Sequence, residues 1–192
     1  MEGRCEDNTA RRRALRQEMV ARRAALSDAE HAALSARIVG HALAALPLPV
    51  VAAFCWPIRH EPDVRSLLAR WATSGTRAAL PVVIAEDAPL RFREWTPDVQ
   101  LAADRYGIPT PTAGTWLTPD LILLPLNGFD DAGYRLGYGG GYFDRTLAAL
   151  VPRPLAVGVG FAINRIDSIR PEPHDQRLDW IVTEDGAFRP AA

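Results

Sequence analysis

Apolar positions fall in short, regularly spaced runs separated by segments of helical period. The spacing predicts a first helix over residues 9–25, with Leu15, Met19 and Leu26 on its buried stripe. A second helix opens at Ser27, where Ser27-Asp28-Ala29-Glu30 forms a capping box. Residues 50–55 read as a buried strand, 63–74 as a helix closed by Gly75, and 77–83 as a further strand. Residues 90–95 alternate, with Leu90, Phe92 and Glu94 on one face and Arg91, Arg93 and Trp95 on the other. Strands are expected again at 120–126, 155–160 and 180–183, and a helix at 142–150. Strand and helix alternate, so the expected fold class is α/β: a single domain over 1–192, built as a three-layer α/β/α sandwich with a mostly parallel central sheet. In such sheets ligands collect at the carboxyl ends of the strands.

At such an end stands the densest motif of the chain, Arg135-Leu-Gly-Tyr-Gly-Gly-Gly-Tyr-Phe-Asp-Arg145. Gly137, Gly139, Gly140 and Gly141 let the backbone approach a ligand closely, and the N–H groups of the loop and first helical turn then face negative charge. A P-loop ends in Gly-Lys-Ser/Thr, and a dinucleotide turn needs a third glycine where this chain has Tyr142, so neither template fits. What remains is an anion-binding loop of another kind, flanked by Arg135 and Arg145, with Asp144 placed to hold a metal against phosphate oxygens. The plainer alternative is a tight strand-to-helix connection with no ligand.

Composition narrows the chemistry. The chain has 192 residues, 48% of them hydrophobic, and a net charge of −1, which gives no bulk attraction to nucleic acid or an anionic membrane. All 22 basic side chains are arginine, so Schiff-base, lysine-base and Walker-lysine chemistry are excluded. The two cysteines make no disulfide framework or zinc site, and no signal-peptide core or bilayer-length apolar run occurs, which together fit a reducing cytoplasm. Arg12 and Arg16 stack four apart on the first helix, as an anion-relieved pair or as a solvated basic face. Trp56 and Glu61 leave the first strand at its carboxyl end, where they line a pocket or cap the next helix. Two readings stand for Trp95: stacking on a flat heterocycle, or partial burial under a helix. Asp175, stiffened by neighbouring prolines, is a second metal-ligand candidate or a turn residue.

On these residues the chain resembles the 5-formyltetrahydrofolate cyclo-ligase family. The likeness rests on Arg12-x-x-Leu15-Arg16, Glu61-Pro62-Asp63, Leu80-Pro81, Phe92-x-x-Trp95, Gly107-Ile108-Pro109-x-Pro111, Pro119-Asp120-Leu121-Ile122, the string from Phe129 through the glycine loop, and His174-Asp175 before Val182-Thr183-Glu184. The resemblance implies a cytoplasmic enzyme that uses ATP and Mg2+ to convert 5-formyltetrahydrofolate to 5,10-methenyltetrahydrofolate, a monomer with small-molecule substrates and no nucleic-acid or membrane partner. It implies ATP contacts from Arg12, Leu15, Arg16, Arg135, Leu136, Gly137, Tyr138, Gly139, Gly140, Gly141, Tyr142 and Phe143. Trp56, Glu61, Trp95 and Tyr142 would grip the folate, Arg135 and Tyr142 would act at the reacting groups, and Asp144 and Asp175 would hold Mg2+. One departure is that the first basic residue of the N-terminal motif is usually lysine in the family and is Arg12 here. A nucleotide- or metabolite-binding relative without the ligase reaction is the alternative, and a sugar-phosphate isomerase or CoA-transferase on a similar scaffold is a third.

Overall fold

The computed structural model describes residues 2–191, with side chains from Asn8 onward. In chain order its elements are helix α1 (Glu2–Ala24), α2 (Asp28–Ala45), strand β1 (Val51–Ala53), α3 (Arg65–Ala72), β2 (Arg77–Val82), β3 (Arg91–Trp95), β4 (Leu101–Ala103), β5 (Pro109–Pro111), β6 (Trp116–Leu117), β7 (Leu121–Pro125), β8 (Gly128–Phe129), β9 (Arg135–Leu136), α4 (Tyr142–Ala149), β10 (Leu155–Val159), a 3-10 turn (Ala162–Asn164), β11 (Trp180–Thr183) and β12 (Gly186–Phe188). The capping box is formed: Ser27 accepts from the Glu30 amide while the Glu30 carboxylate accepts from the Ser27 amide. Helix α3 is shorter than expected and ends ahead of Gly75, which takes φ 92°.

Eight strands form one sheet in the order β12-β11-β10-β7-β1-β2-β3-β6. The five central ones, from β11 to β2, are parallel. Strands β3, β6 and β12 run antiparallel at the margins. The period of two sorts neighbouring side chains to opposite faces. Leu121 and Leu123 join a core with Ile38, Val39 and Ala42 of α2 and Leu67, Leu68 and Trp71 of α3. Ile122 and Leu124 join the other core, with Leu147 of α4, Phe129 and Leu178. Burial on both sides is why β7 and β10 read as continuous apolar runs. Helix α1 belongs to neither layer. It lies against the 3-10 turn and β8, where Arg11 donates to the Ser168 carbonyl and Arg22 to the Ile163 carbonyl.

The parallel strands wind outward from β1 in both directions, to β2 on one side and to β7, β10 and β11 on the other. Connections leave β1 and β7 toward opposite faces at this reversal, which opens a crevice at their carboxyl ends.

Candidate functional site

A cavity of about 470 Å3 occupies that crevice, within the size range of sites for small molecules. Cys55 and Trp56 border it beyond β1, Leu80 and Pro81 at the end of β2, and Pro125 at the end of β7. The glycine loop and the start of α4 form one wall, the β4–β5 hairpin contributes Tyr106 and Ile108, and Arg12, Arg16 and Asp175 close the far side. Fifteen of the seventeen residues expected at the site border this space. Leu15 and Trp95 do not. Leu15 is half-buried along α1. Trp95 meets Phe54 edge-on at 5.2 Å and Trp56 at 6.3 Å, so it backs the Trp56 ring.

The loop is shaped for an anion. Gly141 is the N-cap of α4 at φ 63°, with no side chain capping the first turn, so the first amides of α4 keep their donors for a ligand. Gly139, at φ 98°, would bring a Cβ within 3.3 Å of the Arg16 guanidinium carbon. Arg16 donates through Nε to the Gly137 carbonyl at 2.8 Å, which holds its remaining N–H groups beside the loop. Burial, then the neighbouring Arg12 charge, pulls the Arg16 pKa below its ordinary value. Arg145 ties the loop from the other side, donating to the Gly140 carbonyl at 2.6 Å.

Two ion pairs flank the loop. Arg135 donates to Asp144 Oδ1 at 2.9 Å and to the Gln176 carbonyl at 2.8 Å. The Gln176 amide also donates to Asp144 Oδ1, so among the described residues Asp144 Oδ2 takes no hydrogen bond. Arg12 donates to Asp175 Oδ2 at 2.5 Å, and the Glu172 amide donates to the same oxygen at 2.7 Å. Burial pushes the Asp175 carboxyl up, but the Arg12 and Glu172 hydrogen bonds outweigh it and leave it below the usual carboxylate range. No cluster of three or more His, Cys, Asp or Glu residues suited to a metal exists among the described residues. A magnesium nucleotide does not require one, because one or two carboxylates with substrate phosphates and water complete the shell. Asp144, with one oxygen uncommitted, fits that demand. Asp175 borders the same cavity but spends both oxygens on Arg12.

At the other end, Glu61 is 4% exposed. It accepts from the Tyr138 hydroxyl at 2.5 Å and from the Ile58 amide at 3.1 Å. Burial drives its pKa up, against those hydrogen bonds and the Arg23 and Arg59 charges. Burial likewise raises the Cys55 thiol, which makes it a poor nucleophile. The Tyr142 hydroxyl lies 2.8 Å from that of Tyr106 on the hairpin, and this hydrogen bond raises the Tyr142 pKa. Sequence reading missed two participants. Tyr106 carries no local signal in the sequence. Arg23 is fully buried behind the loop, and its signal lay in the helical spacing: Arg12, Arg16, Met19 and Arg23 are four, three and four residues apart, on one face of α1.

The model of the 5-formyltetrahydrofolate cyclo-ligase family matches residues 8–184. The 5-formyltetrahydrofolate cyclo-ligase of Mycolicibacterium smegmatis is 31% identical over 137 residues, spanning 66% of this chain and 70% of the relative. The NMR structure of Aquifex aeolicus 5,10-methenyltetrahydrofolate synthetase superposes with a TM-score of 0.79 at 28% identity, over 94% of this chain and 93% of that one. A 5,10-methenyltetrahydrofolate synthetase from Mycoplasma pneumoniae gives a TM-score of 0.74 at 27% identity, over 90% and 98% of the two chains.

Proposed function

Because the chain belongs to the 5-formyltetrahydrofolate cyclo-ligase family, we propose that it converts 5-formyltetrahydrofolate to 5,10-methenyltetrahydrofolate with ATP as co-substrate, releasing ADP and phosphate. The observation that carries this reading is one cavity with two unlike ends. The anion end presents uncapped α4 amides and Arg16, and the other presents Trp56 and Glu61, with Tyr142 at the start of α4.

A formamide oxygen is a poor leaving group. Its attack on the terminal phosphorus of ATP forms a C–O–P linkage and expels ADP. N10 of the folate then attacks the activated carbon, and the departing phosphate carries away the formyl oxygen and takes up the N10 proton as the five-membered ring closes. No protein nucleophile is needed. Positioning and charge stabilisation suffice.

The loop amides, with Arg12 and Arg16, hold the triphosphate. Arg135, fixed by Asp144 and Gln176, steadies charge on the transferring phosphoryl group, where an arginine is worth several kcal/mol of barrier in other enzymes. Tyr142, oriented by Tyr106, faces the formyl group, and Trp56 offers a ring face to the pterin with Trp95 behind it. Asp144 would hold Mg2+ through its uncommitted oxygen, and Asp175 would join it only on release from Arg12; the ion supplies neutralisation of phosphate charge when bound. A single cytoplasmic domain acting as a monomer, without nucleic acid, completes the proposal. The net charge of −1 supports the absence of a nucleic-acid partner, and no described helix is long and apolar enough to cross a membrane.

Purified protein mixed with 5-formyltetrahydrofolate, ATP and Mg2+ is expected to develop the near-ultraviolet absorbance of the methenyl product, with ATP required. Nucleotide binding without product would overturn the catalytic reading, as would turnover without ATP.

A further inference from the structure

Behind the glycine loop runs a polar chain that the metal candidates do not use. Arg23 is 0% exposed. Its guanidinium donates to Asn127 Oδ1 at 2.7 Å, to the Arg59 carbonyl at 3.3 Å and to the Tyr138 hydroxyl at 3.1 Å. Asn127 is itself held, because Asn164 Nδ2 donates to its carbonyl at 3.1 Å. The Tyr138 hydroxyl in turn lies 2.5 Å from Glu61 Oε1.

The direction of each hydrogen bond follows from valence. A guanidinium only donates, and a phenol has one proton. With Arg23 donating to the Tyr138 oxygen, that proton must point at Glu61 Oε1. The Ile58 amide donates to Oε2, so both carboxyl oxygens accept a donor, which favours the ionised form against the effect of burial. Each oxygen keeps a lone pair beyond these donors, and Glu61 borders the cavity.

We propose that Arg23 is a positioning residue for the folate half of the site: through the Tyr138 hydroxyl it holds Glu61 as an acceptor-only carboxylate for the N–H donors of the pterin ring. The inference rests on the reading of Glu61 as a folate contact. It explains why a full charge is buried so far from solvent, since Arg23 is the distant counter-charge to Glu61 with a hydroxyl between them. It also gives α1 a second role. Arg16 serves the anion end of the cavity and Arg23 the pterin end, about 10 Å further along the same helix.

The groups facing Glu61 are Arg23 from α1, Tyr138 from the loop, Arg59 on its own segment, and the Cys55 thiol beyond β1. His31 from α2 places Nε2 2.8 Å from the Glu61 carbonyl and stacks edge-on against His60. Among the described residues, only the Arg23–Tyr138 arm reaches the Glu61 side chain through a hydroxyl.

The test compares wild type, Arg23→Gln and Tyr138→Phe, the second keeping the ring at a position 39% exposed, so that it reports even if the first fails to fold. In protein labelled with 13C at glutamate carboxyls, with Glu61 assigned by its loss in Glu61→Gln, the Glu61 titration midpoint is expected to move up by about one pH unit in both variants. The KM for 5-formyltetrahydrofolate is expected to rise about tenfold, and the KM for ATP by clearly less. A midpoint unmoved in Tyr138→Phe, or equal rises in both KM values, would refute the relay. A moved midpoint with a folate KM that is indifferent to Glu61→Gln would instead refute the folate role of Glu61, which separates the two failures.

Discussion

Arginines in this protein are held before any ligand arrives. Arg12, Arg16, Arg23, Arg135 and Arg145 each donate to a carbonyl or carboxylate around the cavity, so little side-chain entropy is left to lose on binding. Asp144→Asn tests this arrangement and the metal reading together. It removes the charge partner of Arg135 and the uncommitted oxygen, and turnover is expected to fall about 10- to 100-fold with a higher Mg2+ concentration needed for half-maximal rate. An unchanged Mg2+ titration would count against Asp144 as a ligand. Glu61 gives a prediction about stability. Its folded pKa is raised by burial, so the folded state binds its proton more tightly than the unfolded chain does, and stability declines as pH rises from the unfolded value, about 4.3, toward the folded one. Glu61→Gln mimics the protonated form. Thermal melts should therefore show the variant gaining on wild type as pH rises through that window, and a gap independent of pH would contradict the assigned cause. Asp175 has the opposite sign: its lowered pKa contributes stability that is lost as pH falls.

Among the elements, the glycine loop and α2 offer a contrast between function and propensity. Gly139→Ala forces a side chain into φ 98° against Arg16, costing about 1 kcal/mol of backbone strain and displacing a phosphate contact. The KM for ATP is expected to rise about tenfold or more while the melting temperature changes little. Gly40, exposed within α2 and with open space where an alanine methyl would stand, should do the reverse. Gly40→Ala is expected to stabilise by about 0.5–1 kcal/mol with kinetics unchanged, and a loss of activity there would mean that α2 reaches the site. The same elements show what the sequence could and could not disclose. Runs such as Leu121–Leu124 announced central strands because burial on both faces leaves no polar position. The two-residue strands β6, β8 and β9 carry no period of their own, because their pairing is set by the loops that deliver them. Trp95 was ambiguous for a related reason: alternation gives a face but not what covers it, and here Phe54 and Trp56 do.

For the molecule as a whole, the position of the cavity follows from strand order. Parallel strands wind outward from β1 in both directions, and the residues carried by β1, β7 and the loop before α4 meet at the reversal. The glycine motif and the Trp56–Glu61 segment, which border the cavity, were legible as local strings of unusual composition. Arg23 and Tyr106 were not, because each gains its role only from a partner far along the chain, Tyr138 or Tyr142. The central claim is that one cavity brings the terminal phosphate of ATP to the formyl oxygen of the folate. Turnover of 5-formyltetrahydrofolate carrying 18O in its formyl group, followed by mass spectrometry of the released inorganic phosphate, tests it most directly. The label is expected in the phosphate, one atom per turnover, and unlabelled phosphate with methenyl product formed would contradict the account.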